Sequence, residues 1–450
     1  VVVLGAVLHG AGGCSSGGEA APPAADGGAD GVRDAGREAA DAGGDALADA
    51  GAWSPLLDLN EGRCGLLAAD EATAATLSPK WEPCAPVTPH SGAGCRQLKF
   101  DWDPPRGLSG HIAASVRAWH AADGTLVYTL GRGLDGDIVR MVVEGETTRT
   151  AIRQTTLKCA LAPERGYDRR FLYGVTERSL AGNDDAVSYA VLGGTIGERP
   201  RALAHYKEAE LRGLTGGPKG FILQPSREYL SWEDASVLGK VDLDALDGPL
   251  YMQGLAFVGD TLHFNVGNLR VSRQKVWSLG EGTRDLLTYG QDETRGYGDL
   301  GTDGKDLVWT QGERVDTSAV YPRLSIATSP YATSTAALKP RILRSDISGY
   351  GFGTSTFVVG CGYAARSTFL EPTPGSFVNI VILVRLSDGH AWMLPDDPST
   401  GFAYRTALGL TCDELYALVE IREGDGGTAA SHFNVARVRL DSLGPGVPPP

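Results

Sequence analysis

The chain has 450 residues, 61 of them Gly and 25 Pro, and a formal charge of −14. Gly-rich turns between short apolar runs point to β structure, and an acidic chain without a basic cluster lacks the concentrated Lys and Arg that nucleic-acid phosphates require. After residue 14 no apolar run reaches the ~18 residues of a membrane-spanning helix.

The chain opens on "VVVLGAVLHGAGGC". Val1 to Leu8 is apolar and short, like the h-region of a secretory signal, and too short to span a bilayer. No Met and no basic segment precede it, so the sequence is expected to lack its natural start. The residues "AGGC", Ala11 to Cys14, resemble the lipobox of bacterial lipoproteins, in which small residues precede an acylated Cys. The usual Leu three positions before the Cys is Ala11 here. The resemblance implies a signal segment over 1–14, a lipid on Cys14 and an exported, envelope-anchored protein. Similar lipoproteins with Asp after the Cys stay in the inner membrane; Ser15 follows here, which implies the outer membrane.

Residues 15–53 are rich in Ala, Gly, Asp and Pro, and nearly free of aromatics. Such a stretch cannot bury enough apolar area to offset its ordering entropy. Eight acidic residues, from Glu19 to Asp49, outnumber Arg33 and Arg37, and their repulsion extends the segment. A disordered tether is expected.

Removing Cys14 leaves Cys64, Cys84, Cys95, Cys159, Cys361 and Cys412. An even number in an exported chain predicts up to three disulfides, with fifteen pairings open. Nearest-neighbour order gives Cys64–Cys84, Cys95–Cys159 and Cys361–Cys412. No CxxC and no His at ligand spacing support a zinc site, so no metal and no cofactor are expected. Residues 54–95 show little alternation and read as a strand-poor covering segment pinned by disulfides.

From about residue 110 a pattern recurs: an apolar run, a tight turn and a second apolar strand. The copies include "AWHAADGTLVYTLGR", "APERGYDRRFLYGVTER", "GLAFVGDTLHFNVGN", "GDLGTDGKDLVWTQGE" and "ALGLTCDELYALVEI". Their spacing, roughly 35 to 60 residues, is that of propeller blades. β-branched strands such as "NIVILVRLSDG" follow, giving three or four antiparallel strands per unit. The expected fold is all-β: a seven-bladed β-propeller of antiparallel four-stranded blades over 96–446, preceded by the tether and followed by a Pro-rich tail at 447–450. Two stacked β-sandwiches are the alternative. The last copy lacks an outer strand, and "RQLKFDWD", Arg96 to Asp103, is expected to supply it. With "GTDGKDLVWTQ" as its best copy, the body resembles the TolB-type and WD-repeat-like propellers of bacterial envelope proteins.

Catalytic motifs are sparse. "GRGLDG", Gly131 to Gly136, matches GxGxxG, but a strand follows where a dinucleotide site needs a helix, so it reads as a hairpin loop. "VDLDALDG" fits a calcium loop poorly, with Gln253 at its twelfth position. There is no HExxH. His263 shares a strand face with Thr261 and Asn265, and a lone strand His is either structural or a ligand. Trp119, Trp232, Trp277, Trp309 and Trp392 sit on strands of different copies, where they either pack between blades or form a sugar- or partner-binding surface. Glu233, Asp234, Asp299 and Asp306 are acids of the type a glycosidase pairs at a propeller mouth. His263, Trp232, Trp309 and Asp299 are the ligand-binding candidates. The expected role is binding or scaffolding of a protein, peptidoglycan or glycan partner in the cell envelope, with no nucleic acid and membrane contact only through the lipid. A carbohydrate-active propeller enzyme, lyase or hydrolase, is the alternative.

Overall fold

The computed structural model describes residues 53–56, 64–84, 94–99, 116–134, 137–156, 159–177, 188–207, 213–224, 226–243, 252–267, 272–289, 295–313, 323–348, 357–373, 376–397, 402–423 and 430–449. Cys14 and residues 15–52 lie outside them. Strand β1 (Trp53–Pro55) begins on the last residue of the expected tether. It is followed by β2 (Leu66–Ala69), helix α1 (Glu71–Thr76), β3 (Lys80–Pro83) and β4 (Cys95–Lys99). The covering segment therefore supplies strands, where few were expected. Asp70 caps α1 by accepting from Thr73 N–H at 2.8 Å.

The body is a succession of antiparallel meanders. The first comprises β5 (Ala118–His120), β6 (Leu126–Leu134), β7 (Asp137–Glu144) and β8 (Thr147–Gln154). Next come β9 (Cys159–Tyr167), β10 (Arg170–Glu177), β11 (Ser188–Thr195) and β12 (Arg201–Lys207), then β13 (Gly213–Gly216), β14 (Gly220–Gln224), β15 (Glu228–Ser231) and β16 (Val237–Lys240). β17 (Gln253–Val258), β18 (Thr261–Gly267), β19 (Ser272–Ser278) and β20 (Gly282–Tyr289) follow, and after them β21 (Arg295–Thr302), β22 (Asp306–Glu313), β23 (Arg323–Pro330) and β24 (Arg341–Ser348). The chain ends with β25 (Val358–Gly360), β26 (Tyr363–Thr373), β27 (Ser376–Arg385), β28 (Ala391–Asp397), β29 (Phe402–Leu410), β30 (Glu414–Glu423) and β31 (Ala430–Arg439). Their first strands line a ring in which β29 lies against β5. This is a β-propeller.

The expected seven separate four-stranded blades are corrected. Among the described residues the strands form five hydrogen-bonded sheets, of six, eight, four, four and nine strands. Two boundaries between meanders are bridged by hydrogen bonds. β9 and β13 join in parallel at Arg165↔Thr215, and β28 joins β29 at Asp396↔Ala403 and Asp397↔Phe402. β2 adds to β8 and β1 to β2, while β3 adds to β4. The repeat pattern marks strands and turns but carries no information on bonds across a boundary.

Ring closure follows the expected route. β4 pairs with β31 at Val438↔Cys95, Arg437↔Arg96 and Ala436↔Gln97, so the two ends of the body share one sheet. Closure removes an exposed strand edge. "GRGLDG" enters a hairpin, β6 pairing with β7 from Gly131↔Arg140 to Leu134↔Asp137. Of the calcium-loop residues, Asp242 is exposed and Asp244, Asp247 and Gly248 lie outside the described residues.

Apolar layers fill the spaces between successive meanders. Strands in mid-sheet are covered on both faces, which is why Ile380 to Val384 is continuously apolar and buried. At the turns, Gly304 adopts φ 85°, a left-handed conformation that favours Gly. The Asp303 carboxylate accepts from Lys305 N–H and Asp306 N–H at 2.9 Å each. Three disulfides form: Cys64–Cys159, Cys84–Cys95 and Cys361–Cys412. The nearest-neighbour order is corrected for the first four cysteines. β2 docks on β8, which delivers Cys64 to the start of β9, and the β3–β4 pairing leaves Cys84 beside Cys95.

Candidate functional site

Inner strands bring charged side chains from distant parts of the sequence to the central channel. β9 carries Glu164 and Arg165 directly after Pro163, a residue without an N–H that an inner edge tolerates. Gly216 allows β13 to approach β9 closely: a Cβ there would sit 2.8 Å from Gly166 C and 2.9 Å from Tyr167 N. Arg165 reaches past β13, and its Nη1 donates to Leu255 O of β17 at 3.1 Å. Burial lowers the Arg165 pKa.

Glu164 is partly exposed. Its carboxyl accepts from Leu214 N–H and lies within electrostatic reach of Arg117, which precedes β5. Burial nevertheless dominates and raises it from 4.5 to about 7. Arg117 is exposed, and its Nη1 donates to Val116 O at 3.0 Å. His120 ends β5 with Nδ1 3.4 Å from Gly124 O. Burial lowers its pKa, Arg165 acts in the same direction, and the Gly124 carbonyl and Asp303 oppose it. Asp303 lies in the turn after β21. Glu164 is thus linked electrostatically to Arg117, and His120 separately to Arg165 and Asp303. A carboxyl that ionises near neutrality can donate or accept a proton, and a guanidinium with N–H groups open to solvent can hold a planar anion.

The sequence-based candidates sit elsewhere. His263 is fully buried on β18, its Nε2 3.2 Å from Tyr331 Oη, and burial lowers its pKa to about 4. Tyr331 also packs against the apolar layer that contains Trp309, so His263 and Trp309 border one interface between sheets. Trp309 is buried, with Nε1 3.4 Å from Gln311 Oε1. Trp232 is buried against Phe221 at 5.4 Å, under Arg170 at 5.3 Å, and its Nε1 donates to Gly217 O at 2.9 Å. The side chain of Asp299 lies outside the described residues. Trp119, Trp277 and Trp392 donate to the carbonyls of Asp168, Lys240 and Gly444. All five indoles are therefore inter-strand packing groups with a satisfied N–H. Glu233 and Asp234 are exposed, and burial raises the Asp306 pKa. Lys275 is buried and pairs with Asp285 at 2.8 Å.

Sequence reasoning missed Arg117, Glu164 and Arg165. Their one signal is position: Glu164 and Arg165 precede a predicted turn on a first strand, and first strands line the channel.

No protein-family model matches the chain, and no curated protein matches it by sequence. Among solved structures it is similar to the β-propeller domain of the trilobed protease from Pyrococcus furiosus. The identity is 7%, covering 74% of this chain and 99% of that one, with a TM-score of 0.42. It is similar to an α-L-arabinofuranosidase from Fusarium graminearum at 9% identity, covering 76% and 97%, with a TM-score of 0.31. For the polysaccharide lyase Uly1 the identity is 9%, the coverage 73% and 90%, and the TM-score 0.33.

Proposed function

We propose that this chain is an exported, envelope-anchored propeller that binds a protein, peptidoglycan or glycan partner. The observation that carries this reading is the braced closure: all six cysteines of the described residues are paired, and two of the disulfides fasten the covering segment. Disulfides persist in oxidising compartments outside the cytosol. A ring with Trp119, Trp232, Trp277, Trp309 and Trp392 packed inside presents its loops as a preformed surface, which lowers the ordering cost of binding.

A second reading, a carbohydrate-active enzyme, is favoured by Glu164 alone, whose carboxyl titrates where a general acid or base works best. One experiment separates the two. The purified chain is incubated with peptidoglycan and with neutral and acidic polysaccharides, then assayed for retention and for released products. Retention without products supports the binding module. Products that disappear in Glu164→Gln overturn it in favour of the enzyme. Neither retention nor products, with no partner captured by crosslinking in the native envelope, overturns both.

A further inference from the structure

The Pro-rich tail is held between β24 and the start of β28, and it is held by its backbone. Val447 and Ala391 exchange two bonds, Val447 N–H to Ala391 O at 2.8 Å and Ala391 N–H to Val447 O at 2.9 Å. The tail thus adds one antiparallel bridge to β28. Trp392 Nε1 donates to Gly444 O at 3.1 Å. Arg344, which is 2% exposed, donates through Nη1 to Val447 O at 2.9 Å and to Pro448 O and Gly389 O at 3.2 Å each. The Val447 side chain contributes little, being 56% exposed. Gly446 lies against the Trp392 indole: a Cβ there would sit 2.7 Å from Cε2, and its φ is 72°. Only Gly meets both conditions. Pro448 and Pro449 have no N–H to leave unsatisfied, and their fixed φ lowers the ordering cost. Beside Pro449 a cavity of about 300 Å³ is lined by Arg341, Ile342, Arg344, Ser345 and Asp388, so there is room next to the segment that fills the groove.

We propose that this groove is a recognition site for an extended peptide of the pattern Gly-x-Pro-Pro carried by another protein, and that residues 446–449 are its resident occupant. Every hydrogen bond named above goes to a backbone atom of the tail, which is how a groove reads an added strand. The same bonds form with any chain that presents Gly where Trp392 lies, an N–H at the next position and two prolines after it. An indole beside a proline-stiffened backbone is also the chemistry by which aromatic grooves take Pro-rich segments. Tethering gives the resident segment a high effective concentration. A partner must displace it, so the groove opens to a peptide held close and not to a dilute one. The site goes beyond the binding reading above and uses neither the channel nor a glycan.

Calorimetric titration with a capped hexapeptide, GPGVPP, the sequence of residues 444–449, tests this. Wild type is compared with a full chain carrying Gly446→Val, whose new side chain meets Trp392 and should push the tail out while leaving the groove intact. Hydrogen exchange at the Ala391 amide reads the release. The Gly446→Val chain is expected to bind the peptide at least about tenfold more tightly than wild type, because its tethered competitor is gone. Two altered peptides then probe the contacts without touching the protein. Val in place of the second Gly, or an N-methyl group on the Val amide, should each weaken binding to the Gly446→Val chain about tenfold. No binding by the Gly446→Val chain, equal affinity in wild type, equal affinity for the altered peptides, or an Ala391 amide as protected in Gly446→Val as in wild type overturns the site.

Discussion

The guanidinium of Arg437 lies 4.5 Å from the centre of the Trp81 ring. Arg437 is on β31, the last strand, and Trp81 on β3, near the start of the described chain. Arg437 also donates to Glu146 Oε1 at 2.6 Å, in the turn after β7. Tyr416 stands edge-on to Trp81 at 6.1 Å. One cation thus joins the covering segment, the last strand and the first meander across the closure. Trp81→Ala removes the cation–π contact and half-buried packing together, and is expected to cost about 2–3 kcal/mol. Equilibrium urea unfolding measures it, and an unchanged midpoint would show that the closure does not depend on this contact.

The disulfides should rank by the chain they enclose. Cys64–Cys159 spans 95 residues, Cys361–Cys412 spans 51 and Cys84–Cys95 spans 11. Chain entropy alone gives about 4.7, 4.1 and 2.8 kcal/mol for these loops. Paired Cys→Ser replacements, one bridge at a time, should lower thermal midpoints in that order. A larger loss from the Cys84–Cys95 pair than from Cys64–Cys159 would mean that β3 docking, rather than loop length, sets the stability of the closure.

Much of the fold is legible because turn chemistry is local. Asp303 and Gly304 announce a tight turn whichever sheet they join, and Cys361 and Cys412 precede matching second strands in their own repeats. The closing strand at Arg96 is legible because the last repeat is one strand short. What stays hidden is non-local. Nothing in "APERGYD" or "GLTGG" shows that Arg165 lies beside Thr215, and such bonds reduce the expected seven blades to five sheets. The Cys64–Cys159 pairing depends on β2 docking on β8, which composition does not encode. The site suffers from the same problem. Strand alternation separates Glu164 from Arg165 but not channel from interface, and a tryptophan such as Trp232 looks identical in sequence whether it packs or binds.

The proposed lipid anchor rests on Cys14, outside the described residues. Cys14→Ser in the full-length precursor is expected to move the protein from the membrane fraction to the soluble exported fraction, because the proposed anchor is the acyl chains carried by this residue. Fractionation with metabolic lipid labelling reads both events. A Cys14→Ser protein that stays membrane-bound, or a wild type that takes up no lipid, removes the anchor from the proposal.

Two groups whose charged forms are disfavoured by desolvation impose opposite pH dependences on stability. His263 is depressed from 6.5 to about 4 by burial. Between those values the unfolded chain binds a proton that the folded chain refuses, so stability is full above 6.5 and is lost as pH falls towards 4. Glu164 is raised from 4.5 to about 7 by burial. There the folded chain holds the proton that the unfolded chain releases, so stability is full below 4.5 and is lost as pH rises towards 7. The two slopes overlap and oppose each other through mildly acidic pH, where the wild type should be nearly flat. Glu164→Gln should uncover a rise of stability with pH, and His263→Gln a fall. Urea midpoints from pH 4 to 8 for the three proteins decide it. If Glu164→Gln leaves the profile unchanged, the carboxyl is not held neutral in the channel, and the proton-transfer role considered for it loses its basis.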